Sequence, residues 1–286
     1  MEAAIVDNVG MKVTAQTVTP HVQRWLQTAN AAVLLHRFEA VINLMNATGD
    51  IISVVQPQVQ AGPFSLVVDV ERPFPHTLSP HTPVSQTAAS LIIGPLHIDC
   101  RPAHLWHPVP NWQRLQATQA NWHSILPEMA TAVTHHLHQI GTIGPAIFAQ
   151  QFQAAAAQMQ AIQQKTDRVA WQTAVTQLAG LGPGFTPAGD DFLVGFLFGL
   201  WATRPRDEVE KLAEIVVETA VPRTTQLSAA WLQAAGRGEA WLPWHGLVNA
   251  LSAGHDWQPP VQRILAQGAS SGVAALLGFI AAARFL

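Results

Sequence analysis

The sequence contains a single cysteine, Cys100, and few charged residues. One cysteine excludes an internal disulfide framework and suits the reducing cytoplasm, where we expect the protein to act. Charged side chains make up 12% of the chain, and its 15 Lys and Arg residues are spread thinly. Because no basic cluster is present, a nucleic-acid partner is not expected.

Long hydrophobic runs are also missing. The two most apolar stretches, residues 192–202 and 272–286, are shorter than the ~20 residues that cross a membrane, so they predict buried core helices. The N-terminal residues Met1-Glu2-Ala3-Ala4 lack the basic and then apolar pattern of a signal peptide. Both observations favour a cytoplasmic protein that does not contact membranes.

Familiar motifs of metal and nucleophilic chemistry are absent. The 13 histidines show neither zinc-finger spacing nor the His-Glu-x-x-His pattern, so we expect no metal site among them. There is no Gly-x-Ser-x-Gly elbow and no Walker loop. We therefore expect no cofactor, although a divalent cation at a pair of adjacent aspartates stays open.

The pattern of apolar residues changes near Pro108 and Pro110. Before them, short β-branched runs between turns predict strands, without long helical crossovers, and one early helix capped by Thr19. The predicted strands are 32–36, 40–45, 51–56, 65–69, 90–93 and 96–100, and the helix is 20–29. After them, helical periodicity predicts helices at 112–124, 127–140, 145–163, 167–178, 190–201, 207–220, 224–235, 242–253, 259–267 and 271–285.

We therefore predict an α+β protein. An antiparallel β sheet or small barrel would form a β-rich domain of residues 1–108, followed by a mainly α-helical domain of residues 109–286. With hydrophobic residues at 49% of the chain, both parts have enough material for a core.

One loop of the helical part stands out, at residues 181–191. Gly182, Gly184 and Gly189 permit backbone conformations and close approaches that other residues cannot adopt, and Thr186 adds a hydroxyl group. Backbone N–H groups at such a loop and at a helix start form a potential cradle for an anion. The alternative is a stiff turn without a ligand.

Two carboxylates, Asp190 and Asp191, follow the loop at the mouth of an apolar helix. Asp190 is expected to cap that helix, and the helix N-terminus is expected to favour the ionised form of Asp191. Both cannot cap, because successive helical residues point about 100° apart. Asp191 would then accept N–H bonds from a substrate amide, pair with an Arg, or hold a divalent cation.

Two further helix starts carry similar chemistry. At the first, Thr225 and Ser228 share one helix face, and Arg223 would bind a carboxylate or phosphate. The alternative there is a Thr cap beside a solvated Arg. At the second, Ser270, Ser271 and Gly272 offer N–H groups and hydroxyls to an anion, or form an ordinary Ser cap. If the three stretches converge, they make one anion-binding pocket.

The loop also carries a family resemblance. Gly182-x-Gly184-Phe185-Thr186-Pro187-x-Gly189-Asp190-Asp191-Phe192 closely resembles the signature of the oxamate carbamoyltransferase subunit family, long catalogued as a domain of unknown function. Residues 225–238 and Ser270-Ser271-Gly272 resemble its weaker second and third blocks. The third block often has a His before the serines, where this chain has Ala269.

The resemblance implies a subunit of a complex in allantoin and purine breakdown, which interconverts oxalurate plus phosphate with oxamate plus carbamoyl phosphate. On that basis Gly184, Gly189 and Ser271 would hold the phosphate, Asp190 or Asp191 the amino group, and Arg223 the oxamate carboxylate. Other subunits of the complex would be its partners. The alternatives are a non-catalytic anion-binding or scaffold subunit, or a metal-dependent hydrolase. Low charge and 10 tryptophans also suggest apolar surface for a homo-oligomer.

Overall fold

The structure is a computed structural model that describes residues 10–28, 31–139, 152, 154–155, 157–159, 161–162 and 167–284. Its Cα positions divide into two compact units, with the division between Pro108 and Val109. Among the described residues, no helix combines the length and the apolar character that crossing a membrane requires.

The first unit is built mainly from strands. In chain order they are β1 (Met11–Val18), β2 (Val33–Arg37), β3 (Val41–Met45), β4 (Ile51–Val55), β5 (Ser65–Val68), β6 (Val84–Thr87), β7 (Ser90–Ile93), β8 (Leu96–Asp99) and β9 (His104–Leu105), with helix α1 (Pro20–Thr28) after β1. The six predicted strands and the predicted helix are confirmed within two residues at each end. The sequence analysis missed β1, β6 and β9.

The strands form a mixed, nearly closed barrel in the order β2-β3-β4-β5-β1-β8-β7-β6, with β9 against β1. The predicted small barrel is confirmed, but three pairs of strands are parallel: β1 with β8, β4 with β5, and β1 with β9. Strand β1 pairs with strands far along the chain, so no short hairpin turn imposes an antiparallel direction on it. Val22 and Trp25 of α1 join the buried apolar side chains of the sheet in one core.

The described part of the second unit is helical. Its helices are α2 (Trp112–Ala117), α3 (Gln119–Trp122), α4 (Leu126–Gln139), α5 (Arg168–Leu178), α6 (Ala188–Thr203), α7 (Arg206–Ala220), α8 (Gln226–Gly236), α9 (Leu242–Ala253), α10 (Gln258–Leu265) and α11 (Ser271–Ala283). The mainly helical character predicted for this part of the chain is confirmed. The helix predicted at 145–163 falls mainly outside the described residues.

Helix ends in this unit follow simple capping chemistry. Asp167 accepts hydrogen bonds from the N–H groups of Val169 and Ala170 at the start of α5. Thr225 does the same for Ser228 at the start of α8. Helix α9 ends at Gly254, whose φ of 67° is the left-handed conformation that glycine adopts without strain. These three signals are local, so the sequence predicts these boundaries well.

The centre of the unit is the pair α6 and α11, whose backbones touch through glycine. A Cβ atom at Gly195 would lie 1.7 Å from the carbonyl oxygen of Ala275, and one at Gly199 would lie 2.6 Å from the Cβ of Ala282. Because the later residue of α6 contacts the later residue of α11, the two helices run in the same direction. Their N-termini therefore lie side by side. This packing brings the loop before α6 next to the first residues of α11.

Candidate functional site

The loop between α5 and α6 takes its shape from glycines. Gly180, Gly182 and Gly184 have φ values of 72°, 115° and 98°, in the region that favours glycine. A Cβ at Gly180 would lie 2.4 Å from the carbonyl oxygen of Arg223, and one at Gly189 would lie 2.0 Å from that of Leu178. The loop is therefore folded tightly against both α5 and the segment before α8.

Two glycines of the predicted anion cradle already use their backbone N–H groups in hydrogen bonds within the protein. The N–H of Gly189 donates to Leu181 O at 2.9 Å, and the N–H of Gly272 donates to Gln267 O at 3.2 Å. A Cβ at Gly272 would lie 1.8 Å from the carbonyl oxygen of Ile264. These two glycines serve close packing, whereas Gly184 lies on the exposed part of the loop.

Asp190 holds the loop to a second segment. Its side chain is buried, and its Oδ1 accepts a hydrogen bond from the N–H of Gly180 at 2.9 Å. Its Oδ2 accepts a hydrogen bond from the hydroxyl of Thr224. Burial raises the pKa of Asp190, and the hydrogen bonds from Thr224 and Gly180 oppose that rise.

The prediction that Asp190 caps α6 is wrong. The helix begins two residues earlier than predicted, with Pro187 at the cap position and no side-chain cap bond. The N–H of Asp190 donates to Pro187 O at 2.9 Å, so Asp190 lies inside the first turn. From there its carboxylate accepts hydrogen bonds from the loop and from Thr224. A capping side chain would instead accept them from N–H groups of its own helix.

Asp191 has a buried carboxyl oxygen that lacks a hydrogen-bond partner among the described residues. This oxygen, Oδ2, is inaccessible to solvent. Burial raises the pKa of Asp191 to about 8, a rise that the Ser271 and Thr186 hydrogen bonds reduce and the nearby Asp190 charge increases. The expectation that the helix N-terminus keeps Asp191 ionised is therefore wrong, because the burial of this carboxyl outweighs the effect of the helix end.

A small pocket of about 40 Å³ adjoins this carboxyl group. Of its four polar side chains, three come from the starts of α6 and α11 and the fourth from the turn before α11. Its apolar walls come from α6, α8, α9, α11 and the residue before α9. The lining consists of Thr186, Asp191, Val194, Phe198, Trp231, Trp241, Trp244, Gln267, Ser271 and Ala275. We call this cavity the Asp191 pocket. None of the residues that line it carries a positive charge.

The three predicted stretches meet at the loop, although not all of them enter the pocket. The hydroxyl oxygens of Thr186 and Ser271 lie 3.1 Å apart, and the hydroxyl of Thr225 donates to Phe185 O at 2.5 Å. Thr225 also caps α8 through the N–H of Ser228, as the structural alternative predicts. The second stretch therefore supports the loop from outside the pocket.

Two residues singled out from the sequence lie apart from the pocket lining. The side chain of Arg223 is exposed and donates to Thr219 O at 2.5 Å. Ser270 occupies the cap position of α11 without a side-chain cap bond, and its carbonyl oxygen accepts the N–H of Ala274 at 3.0 Å. Ser228 is buried beside Asp190.

The sequence analysis missed the walls of the pocket. Trp231 lies in α8, Trp241 and Trp244 at the start of α9, and Gln267 after α10, and no spacing in the chain marks the four as a set. The ring of Trp244 lies 4.9 Å from that of Phe198 and 5.5 Å from that of Phe279, so neighbouring aromatic rings fix its position. No group of three His, Cys, Asp or Glu side chains suited to a metal ion occurs among the residues that the structure describes.

The fold and the site together define a class: an α+β protein whose helical unit has a small pocket beside a glycine loop and two helix starts. Residues 178–283 match the family model described as oxamate carbamoyltransferase subunit AllH, and residues 15–105 match that of the AllH family N-terminal domain. The chain belongs to the oxamate carbamoyltransferase subunit AllH family. No curated protein and no solved structure matches it.

Proposed function

We propose that this chain is a cytoplasmic subunit of a carbamoyltransferase complex that converts oxalurate and phosphate to oxamate and carbamoyl phosphate in allantoin and purine breakdown. Membership of the subunit family supports this proposal. One observation indicates which residues act: Asp191 lines a small pocket, and its buried Oδ2 has no hydrogen-bond partner among the described residues. The matched region begins at residue 178 and contains every residue that lines this pocket.

The proposed role of Asp191 follows from its protonation. In phosphorolysis a phosphate oxygen attacks the carbamoyl carbon of oxalurate, the C–N bond to the oxamate nitrogen breaks, and that nitrogen needs a proton. A carboxyl group with a pKa of about 8 still carries a proton at neutral pH and is suited to donate it. Asp191 is therefore the proposed general acid, and Asp190 is a positioning residue that holds the loop.

The remaining candidates fall into two proposed groups. Thr186 and Ser271 contact the carboxyl of Asp191 and would hold the reacting amide in place. Gly182, Gly184, Ser270 and Arg223 lie outside the pocket lining and would contact the phosphate or carboxylate ends of the substrates. Gly189, Gly272, Thr225 and Ser228 would act through the shape of the loop and the helix starts. The β-rich unit and the helical unit would be separate domains, 1–108 and 109–286.

A second candidate function is a non-catalytic subunit that binds a small ligand or serves as a scaffold. The pocket favours it, since about 40 Å³ holds only part of a substrate and no cationic side chain of the described part of the chain lines the cavity. Partner subunits would then supply the groups that bind phosphate. In both cases the other subunits of the complex are the partners.

Reconstitution of the complex tests the proposed function. The partner subunits are assayed for phosphorolysis of oxalurate with and without this chain. The proposal expects carbamoyl phosphate formation only when the chain is present. Absence of turnover in the complete complex, together with tight binding of carbamoyl phosphate to the isolated chain by calorimetry, would favour the non-catalytic alternative.

A further inference from the structure

We infer that the Asp191 pocket is a recognition site for a neutral primary amide, with its tryptophans as walls and Gln267 as a second polar anchor. This inference deepens the proposed function and rests on it for the identity of the natural ligand. It assigns a ligand class to Trp231, Trp241, Trp244 and Gln267, for which the sequence indicated no role.

The size of the pocket limits the ligand to a small group. A cavity of about 40 Å³ holds roughly three water-sized atoms, because each needs on the order of 10–15 Å³. A carbamoyl or carboxamide group has one carbon, one oxygen and one nitrogen atom. Six of the lining residues are half-buried, including Trp231 and Trp241, so the remainder of a longer ligand would extend toward solvent.

The polar groups of the pocket select the chemistry of that small group. Oδ2 of Asp191 is buried and has no partner in the described part of the chain, and a protonated carboxyl has one hydrogen bond to donate. Gln267 and the hydroxyls of Thr186 and Ser271 can donate and accept. A primary amide offers a carbonyl oxygen that accepts and an NH₂ group that donates, so it satisfies both kinds of partner.

Charge excludes the main alternatives. Among the described residues, no Lys, Arg or His side chain lines the pocket, so a carboxylate or phosphate inside it would lack a counter-charge from them. A cation would need Asp191 ionised, which its burial opposes at neutral pH. The planar indole rings suit a flat and uncharged group, which they can cover without displacing a hydration shell.

Calorimetry on the full chain at neutral pH tests the inference with oxamate, which carries a primary amide, and oxalate, which has a carboxylate in its place. We expect oxamate to bind at least about tenfold more tightly than oxalate. Asp191→Leu should weaken oxamate binding by about tenfold or more, because it removes the donor and the acceptor together. Asp191→Asn should retain most of the binding, since its amide keeps both.

Gln267→Leu should weaken oxamate binding severalfold, and the matched control Gln262→Leu, on the exposed side of α10, should leave it unchanged. Circular dichroism confirms that each variant is folded. Equal binding of oxamate and oxalate, or unchanged oxamate binding by Asp191→Leu, would overturn the inference. Amide-selective binding without carbamoyl transfer by the complex would contradict the proposed function alone, and transfer without amide selectivity would contradict the inference alone.

Discussion

The hydroxyl oxygens of Thr186 and Ser271 lie 3.1 Å apart, although 85 residues separate them in the chain. Both hydroxyls hydrogen bond to the carboxyl of Asp191. The contact exists because glycines let α6 and α11 pack closely side by side, which brings the starts of both helices together. Burial at that point favours the protonated form of the carboxyl, which faces a pocket whose other described lining residues are uncharged.

The raised pKa of Asp191 predicts that stability falls as pH rises. The folded protein keeps a proton up to about pH 8, whereas an unfolded Asp releases it near its ordinary pKa of 3.8. Between these values the native state binds more protons, so the free energy of unfolding should decrease with pH by up to about 1.4 kcal/mol per unit. Asp191→Asn should remove this slope. Urea unfolding at several pH values measures it, and parallel pH profiles for both proteins would refute the burial of an acidic proton.

The bond between Asp190 and Thr224 predicts energetic coupling between distant segments. Thr224→Val removes a hydrogen bond from the buried Asp190 carboxyl, and Asp190→Ala removes it from the half-buried Thr224 hydroxyl. The two losses should therefore overlap by about 1–3 kcal/mol in a double-mutant cycle. Thr131→Val is the control, because the Thr131 hydroxyl bonds only within α4, to Pro127 O. That control should add to Asp190→Ala within about 0.5 kcal/mol. Additivity of Asp190→Ala with Thr224→Val would mean that the bond does not hold the loop.

The contact between α6 and α11 predicts a strong response to one methyl group. Gly195→Ala places a Cβ against the carbonyl of Ala275, so we expect a loss of at least about 2 kcal/mol in the free energy of unfolding. Gly246→Ala lies inside α9 with its nearest neighbour 3.4 Å away, and should be neutral or stabilising by up to about 1 kcal/mol. Urea midpoints at constant slope report both values. Similar midpoints for the two variants would show that the helices do not meet here.

Sequence patterns predicted the fold where the signal is local. The apolar run after Asp191 and the helical periods of residues 167–178 and 224–235 indicated helices that the structure contains, with starts within two residues of those predicted, because periodicity is a local signal. Strand β1 was missed, since its position depends on pairing with β5 and β8, which lie more than forty residues further along the chain. The glycine loop was identified because only glycine fits its conformation.

The candidate site was predictable only in part. Asp191, Thr186 and Ser271 were found from helix starts, and the structure brings them together. The protonation of Asp191 was misjudged, because its burial depends on segments far apart in the chain and cannot be read at the loop. The tryptophan walls were invisible for the same reason: Trp231 and Trp244 meet only after α8 and α9 have packed against α6.

Activity of the reconstituted carbamoyltransferase complex with Asp191→Asn tests the central claim most directly. Asp207→Asn is the matched control, because the Asp207 side chain is 75% exposed on α7. We predict that Asp191→Asn lowers kcat for oxalurate phosphorolysis by at least about 100-fold with little change in KM, since the amide still binds but cannot donate the proton. The control should keep wild-type turnover. Wild-type kcat in the Asp191→Asn complex would contradict the account.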